Sequence, residues 1–138
     1  MQLNYTTPTE REFEQICNYI HEFELDNREL KKEEFCSAFR DQLLLGFGRL
    51  RKHSDCIELC SLGVIPSYRN QGIGKAITAE LIRKTPNPIY LVCIIPSFFK
   101  PFGYREITTY PSAIQQKIDY CNQSLPVPEP YVAMCLNR

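Results

Sequence analysis

The chain has 138 residues, 43% of them hydrophobic, and its sixteen basic and sixteen acidic side chains cancel to a formal charge of zero. That length fits one domain over residues 1–138 with room for a proper core, and the charge balance argues against nucleic acid as a partner, which is normally held by a net basic surface. No apolar run approaches a membrane span, and Met1-Gln2-Leu3-Asn4-Tyr5 lacks the basic and apolar regions of a secretory signal, so a cytoplasmic protein with no membrane partner is expected.

Leu3 to Thr6 reads as a short strand. Thr9 and Glu12 stand at capping-box spacing and start a helix, in which Phe13, Ile16, Cys17, Ile20 and Phe23 recur on one buried face. The charged stretch from Glu22 to Phe35 predicts a second short helix around Arg28 to Glu34. Phe35 to Arg40 and Leu43 to Lys52 flank Asp41-Gln42 as a hairpin, and His53-Ser54-Asp55 turns the chain into a strand over Ile57 to Val64.

A Pro-marked turn and the loop Arg69-Asn70-Gln71-Gly72-Ile73-Gly74 follow, opening a helix that buries Ile73, Ile77 and Leu81 and stops at Thr85-Pro86. Ile89 to Ile95 is a continuous apolar run, as expected for a covered strand, and with the preceding strand and helix it forms a parallel crossover, right-handed by base rate. Pro96 to Phe102 is expected as a short helix leading to Gly103-Tyr104-Arg105-Glu106-Ile107, Ala113 to Cys121 as helical and Tyr131 to Leu136 as a last strand. Pro126, Pro128 and Pro130, spaced by two, do not make the P-x-x-P pattern of a polyproline ligand.

Seven cysteines form an odd set without a C-x-x-C pair, as expected of small buried hydrophobes in a reducing compartment. Cys56 and Cys60 are separated by ~13 Å on a strand, too far to share one zinc, and the two histidines supply no second ligand pair. No metal is expected.

The two glycines of the loop leave backbone N–H groups unshielded at a helix start, which is a ready anion site. A dinucleotide fingerprint would need Gly or Ala where Ile77 stands, and a P-loop would need Gly at Arg69 and Ser or Thr at Ala76. What remains, Val64-x-Pro66-x-Tyr68-Arg69-x-x-Gly72-x-Gly74, resembles the acetyl-CoA-binding motif of the GNAT N-acetyltransferase superfamily, and Phe98-Phe99-Lys100-Pro101-Phe102-Gly103-Tyr104 resembles its second signature, F-Y-x-x-x-G-F. The resemblance implies a GNAT fold of α/β class, α+β in type: a mixed, mostly antiparallel sheet of six or seven strands with helices on both faces. It implies acetyl-CoA as cosubstrate. The pantetheine arm would lie on the backbone of Leu62, Gly63 and Val64, and the diphosphate on the amides from Asn70 and Gln71 through Gly72, Ile73 and Gly74 to Lys75, with charge-assisted bonds from Arg69 or Lys75. Phe99 would face the cofactor. Gly63 inside a strand suggests a bulge or the close approach of another backbone.

Acetyl transfer needs a neutral amine, a polarised thioester and a proton for the leaving thiolate. An amine of pKa ~10.4 costs ~4–5 kcal/mol to deprotonate at neutral pH, an α-amine near ~8 about 1, so a base matters most for the former. Glu58, six residues before Val64, matches the catalytic glutamate of the histone-acetylating branch and is the base candidate; the alternative is a structural pairing with Arg49 or Arg51. The tyrosine that serves as acid in many GNAT enzymes is Phe99 here, leaving Tyr104, Tyr110, Tyr131 or water. An acetylated Cys60 or Cys93 would want a neighbouring base, and the histidines fall in a helix and a turn.

The Phe-Phe pair and the tail Pro111-x5-Lys117-x3-Cys121 are more similar to the catalytic domain of N-acetylglutamate synthase and its stand-alone relatives than to ribosomal-protein acetyltransferases. The expected acceptor is thus a small-molecule amine, and were it an amino acid its carboxylates would meet Arg40, Arg49, Arg51 or Arg105. The rival readings are a peptide or protein acetyltransferase and a non-catalytic acyl-CoA-binding regulatory domain. A homodimer is allowed.

Overall fold

The computed structural model describes residues 2–138. Seven strands form one mixed sheet: β1 (Asn4–Thr6), β2 (Phe35–Arg40), β3 (Leu43–Lys52), β4 (Ile57–Val64), β5 (Ile89–Cys93), β6 (Arg105–Ile107) and β7 (Val132–Leu136), in the order β1-β2-β3-β4-β5-β7-β6. The helices are α1 (Glu10–Glu22), α2 (Ile73–Arg83), α3 (Pro96–Phe99) and α4 (Ser112–Ser124). The bounds expected for β2, β3 and β4 match those observed. Backbone contacts divide the chain into two compact units, one of residues up to Leu50 with Ser61–Lys84, the other of Arg51–Cys60 with Thr85–Arg138.

In the first unit β1, β2 and β3 pair antiparallel, with a register shift between Ala38 and Phe39. Alternation along β3 sorts its side chains to two faces. Phe47, with Phe35 of β2, packs on Ile16 and Ile20 of α1, all four fully or nearly fully buried. On the other face Gly46 and Gly48 make room for α2: a Cβ at Gly46 would stand 2.8 Å from Ile77, and one at Gly48 2.7 Å from Leu81. The α1 capping box forms as expected, Thr9 Oγ1 accepting from Glu12 N and Glu12 Oε1 from Thr9 N.

The expected helix around Arg28 to Glu34 does not form; only Lys32–Glu34 makes a turn of 3-10 helix. Glu24 and Glu29 take left-handed backbone angles, φ 54 and 47, which a continuing helix cannot include. The segment is instead held from inside by Arg49, whose guanidinium donates to Arg28 O, Glu29 O and Glu34 Oε1 at 2.7–3.1 Å. Gly63 is a point of close approach: a Cβ there would lie 2.5 Å from Phe47 Cζ, and its carbonyl oxygen would stand 2.8 Å from a Cβ placed on Gly46. The left-handed residue of β4 is Ser61, φ 49, whose hydroxyl donates to Asp26 O.

In the second unit β4 and β5 run parallel, pairing Ile57 with Ile89 and Glu58 with Tyr90, and β7 lies antiparallel to both β5 and β6. β5 ends at Cys93 rather than Ile95, since Ile95 precedes Pro96 and is already outside the ladder, half exposed. The expected helix over Pro96 to Phe102 is α3 followed by a 3-10 turn over Lys100–Phe102. α4 is longer than expected at both ends. Among the described residues no helix is long and apolar enough to cross a membrane.

Candidate active site

In the first unit β4 runs into a 3-10 turn over Pro66–Tyr68 and then into α2, whose N-cap is Gly72 at φ 80. Nothing lies within 4 Å of where a Gly72 side chain would begin, so glycine serves the left-handed angle and leaves the approach open. Across this cap Ala76 N donates to Gly72 O, and the amides of Ile73, Gly74 and Lys75 belong to the first turn, where no helical carbonyl is available. The Ile73 side chain is in the core at 1% exposure, so its contribution to a ligand is its backbone. Lys75 is exposed in that same turn, where the helix dipole disfavours a cation; a bound anion would relieve the mismatch.

Arg69, Asn70 and Gln71 are exposed, Asn70 with φ 64. Arg69 is already engaged: Nε donates to Val64 O at 3.0 Å, and the guanidinium lies 4.7 Å above the Phe23 ring. One lone pair of the carbonyl expected to meet pantetheine is thus taken, leaving the second.

In the second unit Glu58 is fully buried. Its partners are neither Arg49 nor Arg51. Oε1 is 2.8 Å from His53 Nε2, and Oε2 is 2.8 Å from Lys117 Nζ, a contact of opposite charges not aligned as a hydrogen bond. Burial pushes the carboxyl up, but the His53 bond and the Lys117 charge outweigh it and hold Glu58 below the usual carboxylate range. His53 had no role in the reading of the sequence, and Lys117 only marked a tail pattern. The one available signal was that a histidine opens the turn leading into the strand that carries Glu58.

Phe99 is buried, edge-to-face with Tyr104 at 5.8 Å and with Phe98 at 4.9 Å. Of the substitute acids, Tyr131 donates its hydroxyl to Leu125 O. Tyr104 is buried with a hydroxyl that has no hydrogen-bond partner among the described residues, and burial pushes it well above the usual phenol range. Tyr110 is half-buried. Burial likewise pushes the Cys93 thiol up, and burial with the Asp55 charge pushes Cys56 up to about 12, so neither forms a thiolate readily.

The sequence model described as Acetyltransferase (GNAT) family matches residues 2–104. No curated protein matches the chain. Among solved structures, N-acetylglutamate synthase from Neisseria gonorrhoeae, complexed with coenzyme A and N-acetyl-glutamate, superposes with a TM-score of 0.77 at 16% identity, covering 100% of this chain and 36% of that one; the present chain thus spans about a third of that enzyme. Rv2747 from Mycobacterium tuberculosis, in complex with CoA, gives 0.76 at 17% identity, covering 98% and 99%. A GNAT-family acetyltransferase from Staphylococcus aureus Mu50 gives 0.67 at 19%, covering 99% of each chain. At these identities the likeness to solved structures shows the fold, and the family comes with the sequence-model match. The chain belongs to the GNAT acetyltransferase family.

Proposed function

We propose that the protein is a single GNAT domain over residues 1–138 that moves the acetyl group of acetyl-CoA directly to the amine of a small molecule, with an amino acid as the favoured acceptor. The observation that carries the cofactor assignment is the start of α2: a left-handed glycine cap, open space around it, first-turn amides that no helical carbonyl can serve and a lysine placed against the dipole. A diphosphate there gains ~0.3–1 kcal/mol per favourable charge from the dipole, up to ~2 when partly buried. β4 meets β5 at its N-terminal end, through Ile57 and Glu58, and Leu62 to Val64 at its other end serve the pantetheine amides.

Glu58 drives removal of the acceptor's proton. A buried, ionised carboxylate that keeps two cationic or proton-bearing neighbours costs desolvation energy that an apolar pair would not, and such groups cluster at functional sites. The amino-acid reading is supported by the N-acetylglutamate synthase structure, whose complex holds N-acetyl-glutamate. Of the four arginines considered for a carboxylate, Arg49 is the least suited, being buried against Glu34 and two loop carbonyls.

A screen of amino acids, polyamines and short peptides, read as CoA thiol released from acetyl-CoA, tests the proposal. Turnover with single amino acids is expected. Turnover confined to peptides would contradict the acceptor class, and acetyl-CoA binding without turnover on any amine would contradict catalysis.

A further inference from the structure

Within the second unit, Glu58 has no exposure, and its two oxygens each face a neighbour 2.8 Å away. An acceptor amine cannot touch the carboxylate without displacing one of them. Lys117 is 5% exposed at its side chain, His53 15%, so the imidazole is the end of the Lys117–Glu58–His53 chain most open to solvent.

The protonation pattern follows from hydrogen-bond chemistry. An ionised carboxylate only accepts hydrogen bonds, and Glu58 is held ionised. The His53 nitrogen facing it, Nε2, therefore carries a proton, and in the neutral ring Nδ1 carries the lone pair. We propose that His53 Nδ1 is the base that takes the acceptor's proton, with Glu58 and Lys117 as positioning residues behind it. The proposal rests on the acetyl-transfer reading above and assigns the proton to a different atom than the sequence suggested.

The turn that carries His53 and the carboxylate that its imidazole meets are both anchored to one helix. His53 N donates to Cys56 O, closing the turn. Asp55 Oδ2 accepts from Ser112 Oγ at 3.1 Å and from Ala113 N at 3.3 Å at the start of α4, and Lys117, one turn further along, reaches Glu58. Residues 113 and 117 share a helix face. α4 thus grips the chain at Asp55 and at Glu58, two and five residues beyond His53. Lys117 has a further part in the chemistry: by keeping Glu58 ionised it leaves the proton on the imidazole.

In the step itself the ammonium form of the acceptor gives a proton to Nδ1, and the freed nitrogen pair attacks the thioester carbonyl. The C–N bond forms as the C–S bond breaks, and sulfur leaves with the bonding pair. It takes the proton shed by the new amide nitrogen, and the imidazolium returns its own proton to solvent.

The test combines His53→Ala, His53→Gln and ring ¹⁵N NMR of the wild type. For His53→Ala, acetyl-CoA affinity should hold, kcat should fall by about 10²–10⁴, and added imidazole should restore turnover in proportion to its concentration, which a structural role would not produce. His53→Gln, which keeps a hydrogen bond to Glu58, should stay folded, show the same fall and gain nothing from imidazole. The wild-type spectrum should show the Nε2-protonated neutral tautomer, and Glu58→Gln should lose that preference. Unchanged kcat in either His53 variant, or an Nδ1-protonated tautomer in the wild type, overturns the base assignment alone. A wild type that binds acetyl-CoA yet acetylates no amine overturns the transferase reading, and the base assignment with it, whatever the tautomer.

Discussion

Lys117 shows how a single residue can be present in a sequence and still carry no legible role. It is 4% exposed on a helix whose other buried positions are Ala113, Ile114 and Cys121, and only the fold brings it to Glu58, 59 positions earlier in the chain. The residue type and strand position of Glu58 could be read in advance, but its partners could not, because cross-strand reasoning offers arginines on β3 and is blind to a helix far along the chain. Replacing Lys117 with Met leaves the Glu58 charge buried beside His53 alone, and removing one member of such a pair costs about 3–5 kcal/mol; urea unfolding should show a loss of this size. The thiols give the opposite expectation. Cys93 is pushed toward its neutral form by burial, so Cys93→Ala and Cys60→Ala should each leave transfer sequential, and mass spectrometry should find no acetyl-cysteine after incubation with acetyl-CoA alone.

Elements were most legible where apolar patterning and turn residues agree. The hairpin of β2 and β3 is bounded by Asp41 and Gln42, both at positive φ (51 and 67), and β4 is bounded by the His53–Asp55 turn and Pro66. The segment between α1 and β2 was misread because its charge pattern suits a helix while its conformation is set by a group outside it, the Arg49 guanidinium. Arg49→Leu should therefore raise amide hydrogen exchange from Arg28 to Glu34 more than in the rest of the first unit. β4 carries a second element-scale constraint. Gly63→Ala places a methyl carbon against the Phe47 ring, an overpacking that typically costs about 1–3 kcal/mol, and Phe47→Leu in the same chain should recover part of the loss in thermal denaturation.

At the scale of the whole molecule, the family was readable from one strand, one glycine-capped helix start and a second signature, because each is a pattern of residues adjacent in the sequence. The partners of Glu58 were not, since His53 and Lys117 reach it only through the tertiary fold. The same partners predict how stability follows pH. Glu58 and Asp55 are both held below the usual carboxylate range, Glu58 by His53 and Lys117 against burial, Asp55 by the Ala113 amide and Ser112 hydroxyl against burial. A depressed acid stabilises fully above its unfolded value, near pH ~4, and that contribution is lost as pH falls through the lower folded value. Wild-type melting temperature should hold from neutrality down to about that point and drop below it, and Glu58→Gln should flatten the drop.

The most direct measurement is a calorimetric titration of acetyl-CoA into the wild type and into Gly74→Val, with far-UV circular dichroism confirming that the variant keeps its helices. Gly74 stands in the first turn of α2, where a valine side chain would crowd the diphosphate. The wild type should bind, and the folded variant should bind at least tenfold more weakly, a loss above ~1.4 kcal/mol. Equal affinity in the two proteins, or no binding by the wild type, would contradict the assignment of acetyl-CoA to this helix start.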